Sequence, residues 1–202
     1  MTPEEFKRRL EELEKVICDA VAYFHAWRGL VVEDEDSVQS LNRYKGFFRS
    51  AHNALLWMTI MQLAKAFDHD TRTISLRNLL NLAKQDPSNL VPHMGAEAIQ
   101  VMEKGIDDNE ALLERLKAFR DQRLAHHDSV PTKEMSLQFR DVEELVTEVQ
   151  SMYNNLRRGH DRVLVAFDAI ARDAERDVVG VVNLMREDMA RFLNRLNENQ
   201  GR

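Results

Sequence analysis

Cysteine, glycine and proline are scarce in this sequence. It contains a single cysteine, Cys18, together with seven glycines and four prolines in 202 residues. A lone cysteine excludes a disulfide framework within the chain and a multi-cysteine metal site, and it is typical of a reducing compartment. Because no stretch rich in glycine, serine or proline marks a linker, we predict a single helical domain over residues 1–202.

Long hydrophobic runs and an excess of positive charge are also missing. The N-terminus reads Thr2-Pro3-Glu4-Glu5, which lacks the basic-then-apolar pattern of a signal peptide, and no apolar run approaches the length of a bilayer span. We therefore expect a soluble, cytoplasmic protein with no membrane partner. The net charge of −6 argues against a broad basic surface that coats nucleic acid, although it leaves room for a small basic pocket.

Helical periodicity fills the chain. Thr2 and Glu5 have the spacing of a capping box, and apolar residues then recur in steps of three and four until the acidic stretch 33–37. Further helices are predicted through 41–67, from the cap Ser75 to a stop at 86–88, over 96–127 with an irregularity near Gly105, and over 139–156. The fold class predicted is all-α, an antiparallel bundle of five to six helices with long N- and C-terminal helices.

The C-terminal part has a regular repeat of its own. From Val163, apolar or small residues recur in steps of four, three and four, a pattern that repeats every eleven residues and follows a nearly straight helix. We predict a core over about 1–158 and a long C-terminal helix over about 161–198. Because the first helix has nearly the same stepping, the two terminal helices should pack against each other or against a second subunit. Residues 178–182, Val-Val-Gly-Val-Val, are poor helix formers that could bend the last helix.

The helix predicted over 96–127 ends in charged residues where its apolar stripe should continue. At ~100° per residue, an arc of ~140° contains Leu112, Leu113, Leu116, Phe119 and Leu124. Arg120, Arg123 and His127 project within that arc, and His126 lies just beyond its edge. Such groups are costly to bury alone, so they either face a cleft or meet acids or bound anions. The alternative is structural, because cations near a helix C-terminus also stabilise the helix dipole.

Two clusters of histidine and aspartate are weak candidates for metal sites. Asp68, His69 and Asp70 are adjacent in a turn, where three consecutive residues seldom form a closed site. His126 and His127, followed by Asp128, lack the helical separation of four that places two imidazoles on one ion. We therefore predict neither a metal site nor a cofactor.

Residues 118–128, Ala-Phe-Arg-Asp-Gln-Arg-Leu-Ala-His-His-Asp, resemble the signature of the HEPN superfamily. In that signature an arginine followed by a polar residue precedes a histidine, and Arg120, Asp121 and His126 match it with five residues between arginine and histidine. Phe67-Asp68 and the segment 75–80 precede the motif in the order seen in AbiU-type HEPN domains, which are associated with bacterial abortive infection. The resemblance covers about residues 40–158, so the core over about 1–158 is identified as HEPN-like.

This resemblance implies a metal-independent endoribonuclease that acts as a homodimer, with motifs from two subunits lining one cleft. His126 or His127 would exchange protons with the 2′-OH and the leaving oxygen of RNA, while Arg120 would grip the phosphate. Asp121 would orient the arginine or the histidine, and Arg123 would supply a second cation for RNA binding. The order of the motif favours His126, whereas the helical projection places His127 within about 20° of Arg120. We rank His126 first.

Three functions are compatible with these patterns. The first is an RNase of a toxin–antitoxin or phage-defence system, inhibited by an antitoxin protein or activated by infection. The second is a HEPN-like module without catalysis that binds RNA, a nucleotide or a partner protein. The acidic net charge keeps this second function open because it predicts weak standing affinity for RNA. The third is a helical assembly protein whose terminal helices form an oligomer.

Overall fold

The computed structural model describes residues 1–125 and 137–200, without the side chains of residues 122–125, 193 and 196–200. The secondary structure of this part is helical throughout, which confirms the all-α prediction. Its nine helices are α1 (Pro3–Gly29), α2 (Glu35–Arg43), α3 (Lys45–Ala66), α4 (Leu76–Gln85), α5 (Pro87–Leu90), α6 (Ala96–Asp108), α7 (Glu110–Ala125), α8 (Phe139–Asp161) and α9 (Phe167–Gln200). The described part therefore has more helices than the five or six predicted.

One of the extra helices arises where a local hydrogen bond accompanies the end of a helix although the apolar pattern continues. The helix predicted over 96–127 divides at Asn109, four residues after the glycine at which an irregularity was expected. The side-chain amide and the backbone N–H of Asn109 both donate to the Gly105 carbonyl, at 3.0 and 3.3 Å. An asparagine that bonds the backbone of its own turn competes with helix continuation. The spacing of apolar residues, from which the single helix was predicted, gives no sign of this competition.

The helix starts predicted at Thr2 and Ser75 agree with the structure. Glu5 N–H donates to Thr2 Oγ1 at 3.2 Å and Thr2 N–H donates to Glu5 Oε2 at 3.0 Å, which is a complete capping box. Asp34, within the acidic stretch, caps α2 by accepting from Ser37 N–H at 2.9 Å. Ser75 likewise caps α4. These side chains satisfy backbone donors that a helix start leaves without partners.

The chain divides into two compact units, of which the first comprises Met1–Val21 and Thr59–Phe167. Its centre is a buried contact between α1 and α8. The Tyr153 hydroxyl donates to the Leu10 carbonyl at 3.1 Å and to Glu14 Oε2 at 2.7 Å. Burial and the bond to Glu14 raise the pKa of Tyr153 well above its usual range, so the hydroxyl stays a neutral donor. The same unit contains many almost completely buried apolar residues, among them Phe6, Leu13, Ile17, Leu76, Leu79, Leu145, Val149 and Leu156.

The second unit comprises Ala22–Met58 and Asp168–Arg202. It therefore contains the C-terminal end of α1 and nearly all of α9. A Cβ on Gly29 would lie 3.1 Å from the Val178 Cβ, and His25 Nδ1 lies 3.5 Å from Glu175 Oε2. The terminal helices therefore contact each other, which is one of the two arrangements that the sequence predicted. α9 has 34 residues and continues as a helix through the valine-rich stretch 178–182.

The C-terminal helix starts at Phe167, later than the predicted boundary at about 161. α8 continues to Asp161, and Arg162 then adopts a left-handed conformation with φ of 62°. The Asn154 side chain holds the connection by bonding both the N–H and the carbonyl of Val165, at 2.8 and 3.1 Å. Among the described residues, no helix combines the length and apolar character needed to span a bilayer.

Two glycines in long helices should respond to alanine in opposite ways. A Cβ on Gly159 would meet the Met94 Cβ at 2.8 Å, whereas nothing lies within 4 Å of a Cβ on Gly180. We expect Gly159→Ala to lower the free energy of unfolding by about 1–3 kcal/mol through overpacking. Gly180→Ala should raise it by up to about 1 kcal/mol because alanine is the better helix former. Urea unfolding followed by circular dichroism measures both, and a Gly159→Ala variant as stable as the parent would contradict the close packing.

Candidate functional site

Arg120 and Asp121, the described part of the site predicted from sequence, lie on α7, whose first half is anchored by buried leucines. Leu113 and Leu116 are almost completely buried in the first unit. Arg120 follows them on the same face, as the helical projection predicted. Its side chain is 25% exposed. These residues line a cavity of about 20 Å³, room for about one water molecule, together with Ala64, Phe67, Asp68, His69 and Lys117.

The opposite wall of the cavity is the connection between α3 and α4. Asp68 Oδ1 accepts from Asp70 N–H at 3.1 Å, which tightens the turn. The side-chain amide of the buried Asn78 donates to the carbonyls of Asp70 and Thr73, at 2.7 and 2.9 Å. Because one side chain on α4 ties two points of the connection, Asp68 and His69 are held in place beside α7.

Arg120 and Asp121 form an ion pair on the rim of the cavity. The Nε and one terminal nitrogen of Arg120 both lie 2.8 Å from Asp121 Oδ1. A guanidinium has five N–H donors, so this contact engages one edge and leaves the other edge for a further acceptor. The pair can therefore orient Arg120 while a phosphate oxygen binds to the remaining donors.

The geometry of the other predicted site residues is not described by the structure. His126 and His127 lie outside the described residues, and so does the side chain of Arg123. Their proposed roles, and the choice between the two histidines, stay predictions.

Beside the cavity, His69 also faces two glutamates of α7. His69 Nε2 lies 3.7 Å from Glu110 Oε1, and one ligand atom each from His69, Glu110 and Glu114 fall within 4.8 Å of one another. Arg77 binds the other oxygen of Glu110, Oε2, at 2.8 Å. Imidazole nitrogen and carboxylate oxygen are both ligands of divalent transition metals, so these three residues are the candidate metal ligands of this region.

Comparison with family models finds a match for this chain. The model of the AbiU2 family, a family of HEPN domains, matches residues 3–181. The chain belongs to the AbiU2 family. Comparisons with curated proteins and with solved structures find no match. The family match extends well beyond the segment of about 40–158 on which the resemblance was first based, and it takes in α1 and the first part of α9.

Two residues of this AbiU2 domain that line the cavity were not assigned to the site from sequence: Lys117 was not considered, and His69 was considered only as a weak metal ligand in a turn. Lys117 precedes Arg120 by three positions, a spacing that places two side chains on one helical face and that could have revealed it. The position of His69 depends on the path of the chain after α3, and its own neighbours in the sequence suggested only a solvated turn.

Cys18 has no role as a nucleophile at neutral pH. Burial, together with the nearby carboxylates of Glu14 and Asp19, raises the pKa of the Cys18 thiol to about 11. A thiol attacks as its thiolate, which is then a very minor species near pH 7.

Removal of the Asn78 amide should loosen the wall of the cavity. We expect Asn78→Ala to cost about 1–3 kcal/mol of stability, because it leaves two backbone carbonyls without their donor. Hydrogen exchange should become faster in residues 68–73 in particular. Asn81→Ala is the matched control, since Asn81 is an exposed residue of the same helix. Equal exchange in the two variants would show that Asn78 does not hold the connection.

Proposed function

We propose that this AbiU2 protein is a metal-independent endoribonuclease whose arginine–histidine motif cleaves RNA in a homodimer. The observation that supports it best is the Arg120–Asp121 pair at the rim of a cavity, near the end of the helix that leads into the two histidines. In the sequence, Arg120 precedes the two potential proton-transfer groups, His126 and His127, by six and seven residues. These residues belong to the arginine–histidine signature on which the resemblance to the HEPN superfamily was based.

The reaction that suits these groups is a transesterification within RNA. A neutral histidine takes the proton of the ribose 2′-OH, and the 2′ oxygen forms a bond to phosphorus as the bond from phosphorus to the 5′ oxygen breaks. A protonated histidine returns a proton to that leaving oxygen, so the products carry a 2′,3′-cyclic phosphate and a 5′-OH. Arg120 stabilises the additional negative charge on the phosphorane oxygens. Arg123 supplies a second cation, and Asp121 orients Arg120.

The biological setting proposed is abortive infection or a toxin–antitoxin system. An RNase that attacks cellular RNA needs restraint, either by an antitoxin protein or by activation during phage infection. The net charge of −6 is compatible with this setting because it keeps standing affinity for bulk RNA low. A local group of cations then engages a few phosphates instead of coating a long strand.

An exposed apolar groove in the second unit supports homodimer formation. The groove has a volume of about 340 Å³ and is lined almost entirely by apolar side chains, among them Leu30, Phe47, Leu55, Val178 and Val181. Phe47 is 69% exposed, and Leu184 on α9 is 67% exposed. Contiguous apolar surface of this kind marks an interaction site. We propose a second copy of the chain as the occupant, because two AbiU2 subunits would bring two motifs to one assembly.

The cleavage proposal is tested with purified protein and total RNA in EDTA. We expect the parent protein to cut the RNA and to leave 2′,3′-cyclic phosphate ends. Arg120→Ala and His126→Ala should each slow cleavage by about 100-fold or more, the range found for loss of a proton-transfer or charge-stabilising group. Arg8→Ala, an exposed arginine on α1, is the matched control and should leave the rate unchanged.

Other outcomes of this experiment are equally informative. Absence of cleavage by the parent protein, together with normal growth on expression, would contradict the RNase function and leave a non-catalytic HEPN module that binds RNA, nucleotide or protein. A loss of cleavage in His127→Ala but not in His126→Ala would show that our ranking of the two histidines is wrong.

Dimer formation is tested by a charge placed in the apolar groove. We expect Phe47→Asp and Val181→Asp to shift the protein from dimer to monomer in sedimentation equilibrium, because a desolvated carboxylate opposes association. Val101→Asp is the matched control, since Val101 is also 69% exposed but lies on α6 in the first unit. Dimers of equal strength in all three variants would place the interface elsewhere, and a monomeric parent protein would contradict the homodimer.

A further inference from the structure

The side chains of His69, Glu110 and Glu114 converge from two separate parts of the chain. Glu110 and Glu114 are four residues apart on α7, a spacing that puts both carboxylates on one helical face. His69 reaches that face from the connection after α3. One potential ligand atom from each residue lies within 4.8 Å of the other two. Two ligand atoms of one zinc ion are about 3–4 Å apart, so small rotations of these side chains suffice to place an ion between them.

The existing contacts leave the facing atoms available. His69 Nε2 and Glu110 Oε1 are 3.7 Å apart, which is too long for a hydrogen bond. Arg77 occupies only Glu110 Oε2, at 2.8 Å, and thereby turns Oε1 towards His69. A ligating carboxylate is commonly held by a second partner in this manner, and such partners matter for metal affinity. The Arg77 contact therefore holds the Glu110 carboxylate in an orientation that leaves Oε1 available to bind a metal ion.

The backbone that carries His69 is also fixed before any ion binds. Asn78 holds the carbonyls of Asp70 and Thr73, and Asp68 closes the turn around His69. At the other end, the buried Leu112 and Leu113 hold the first turns of α7. Neither side of the cluster has to be ordered at the moment of binding, which reduces the entropic cost of coordination.

The balance of charge favours a cation at this position. Glu110 and Glu114 supply two carboxylates, and Asp107 adds a third that lies 3.7 Å from Arg77. Arg77 is the guanidinium that contacts Glu110 and Asp107. A divalent ion would neutralise the remaining negative charge, and water could complete its coordination because His69 and Glu114 are exposed.

We propose that His69, Glu110 and Glu114 form a binding site for a divalent transition-metal ion of the zinc class. One imidazole nitrogen and two carboxylate oxygens suit Zn²⁺ and its neighbours, whereas Mg²⁺ and Ca²⁺ favour sites made of oxygen alone. The ion takes no part in the proposed cleavage of RNA, and the site does not depend on that activity. It would hold the His69 imidazole beside the cavity that Arg120 lines.

Isothermal titration of the full-length chain with zinc chloride, in a buffer free of chelators, tests the site. We expect one ion per chain, with at least ~10-fold weaker binding in His69→Ala and in Glu114→Gln. Arg77→Met should weaken binding as well, because it releases the Glu110 carboxylate. His93→Ala and Asp108→Asn remove an exposed imidazole and an exposed carboxylate elsewhere, so they should leave the affinity unchanged.

A second variant separates this site from the adjacent histidines of the motif. His126→Ala with His127→Ala in one chain should still bind one ion with unchanged affinity. Loss of binding in that double variant, unchanged affinity in His69→Ala, or no binding by the parent protein would each overturn the proposal. Co²⁺ gives an independent readout, because its visible absorption bands on the parent protein should disappear in His69→Ala. Circular dichroism of each variant establishes that the fold is intact.

Discussion

Burial of the apolar side of α7 sets the directions in which the charged side chains of this helix project. Leu112, Leu113 and Leu116 are covered by the first unit, and each buried leucine contributes about 1.5–3 kcal/mol. Their burial fixes the rotation of the helix about its axis. The Arg120–Asp121 pair is partly exposed, and exposed ion pairs contribute about 0–1 kcal/mol. Packing therefore sets the directions in which the charges point, and the ion pairs refine positions that are already determined.

Features encoded by neighbouring residues could be predicted from the sequence. Thr2 with Glu5, and Ser75 at the start of α4, are caps made within one turn, so their spacing alone reveals them. The family was recognisable because its motif is a continuous segment. The break at Asn109 escaped prediction, because the apolar pattern continues while an amide competes for the backbone. The meeting of His69 with α7 depends on tertiary packing, which local spacing does not encode.

The cavity beside Arg120 is a local exception within an acidic protein. Lys117 and Arg120 line it, but Asp68 lies on its opposite wall and Asp121 pairs with the arginine. Mixed charge of this kind narrows the set of anions that bind well, because a ligand must meet the cations without approaching the carboxylates. The protein thus offers two cations next to two carboxylates at the cavity, while its net charge of −6 gives weak attraction for polyanions at long range.

The second unit is discontinuous in the sequence, since Ala22–Met58 and Asp168–Arg202 form it together. During translation the ribosome makes residues 59–167 between these segments, which takes on the order of ten seconds. Until α9 emerges, Leu30 and Phe47 lack the Val178 and Val181 side chains that line the same groove. A nascent chain that stops short of α9 therefore cannot complete this surface, and any assembly that uses it waits until α9 has been made.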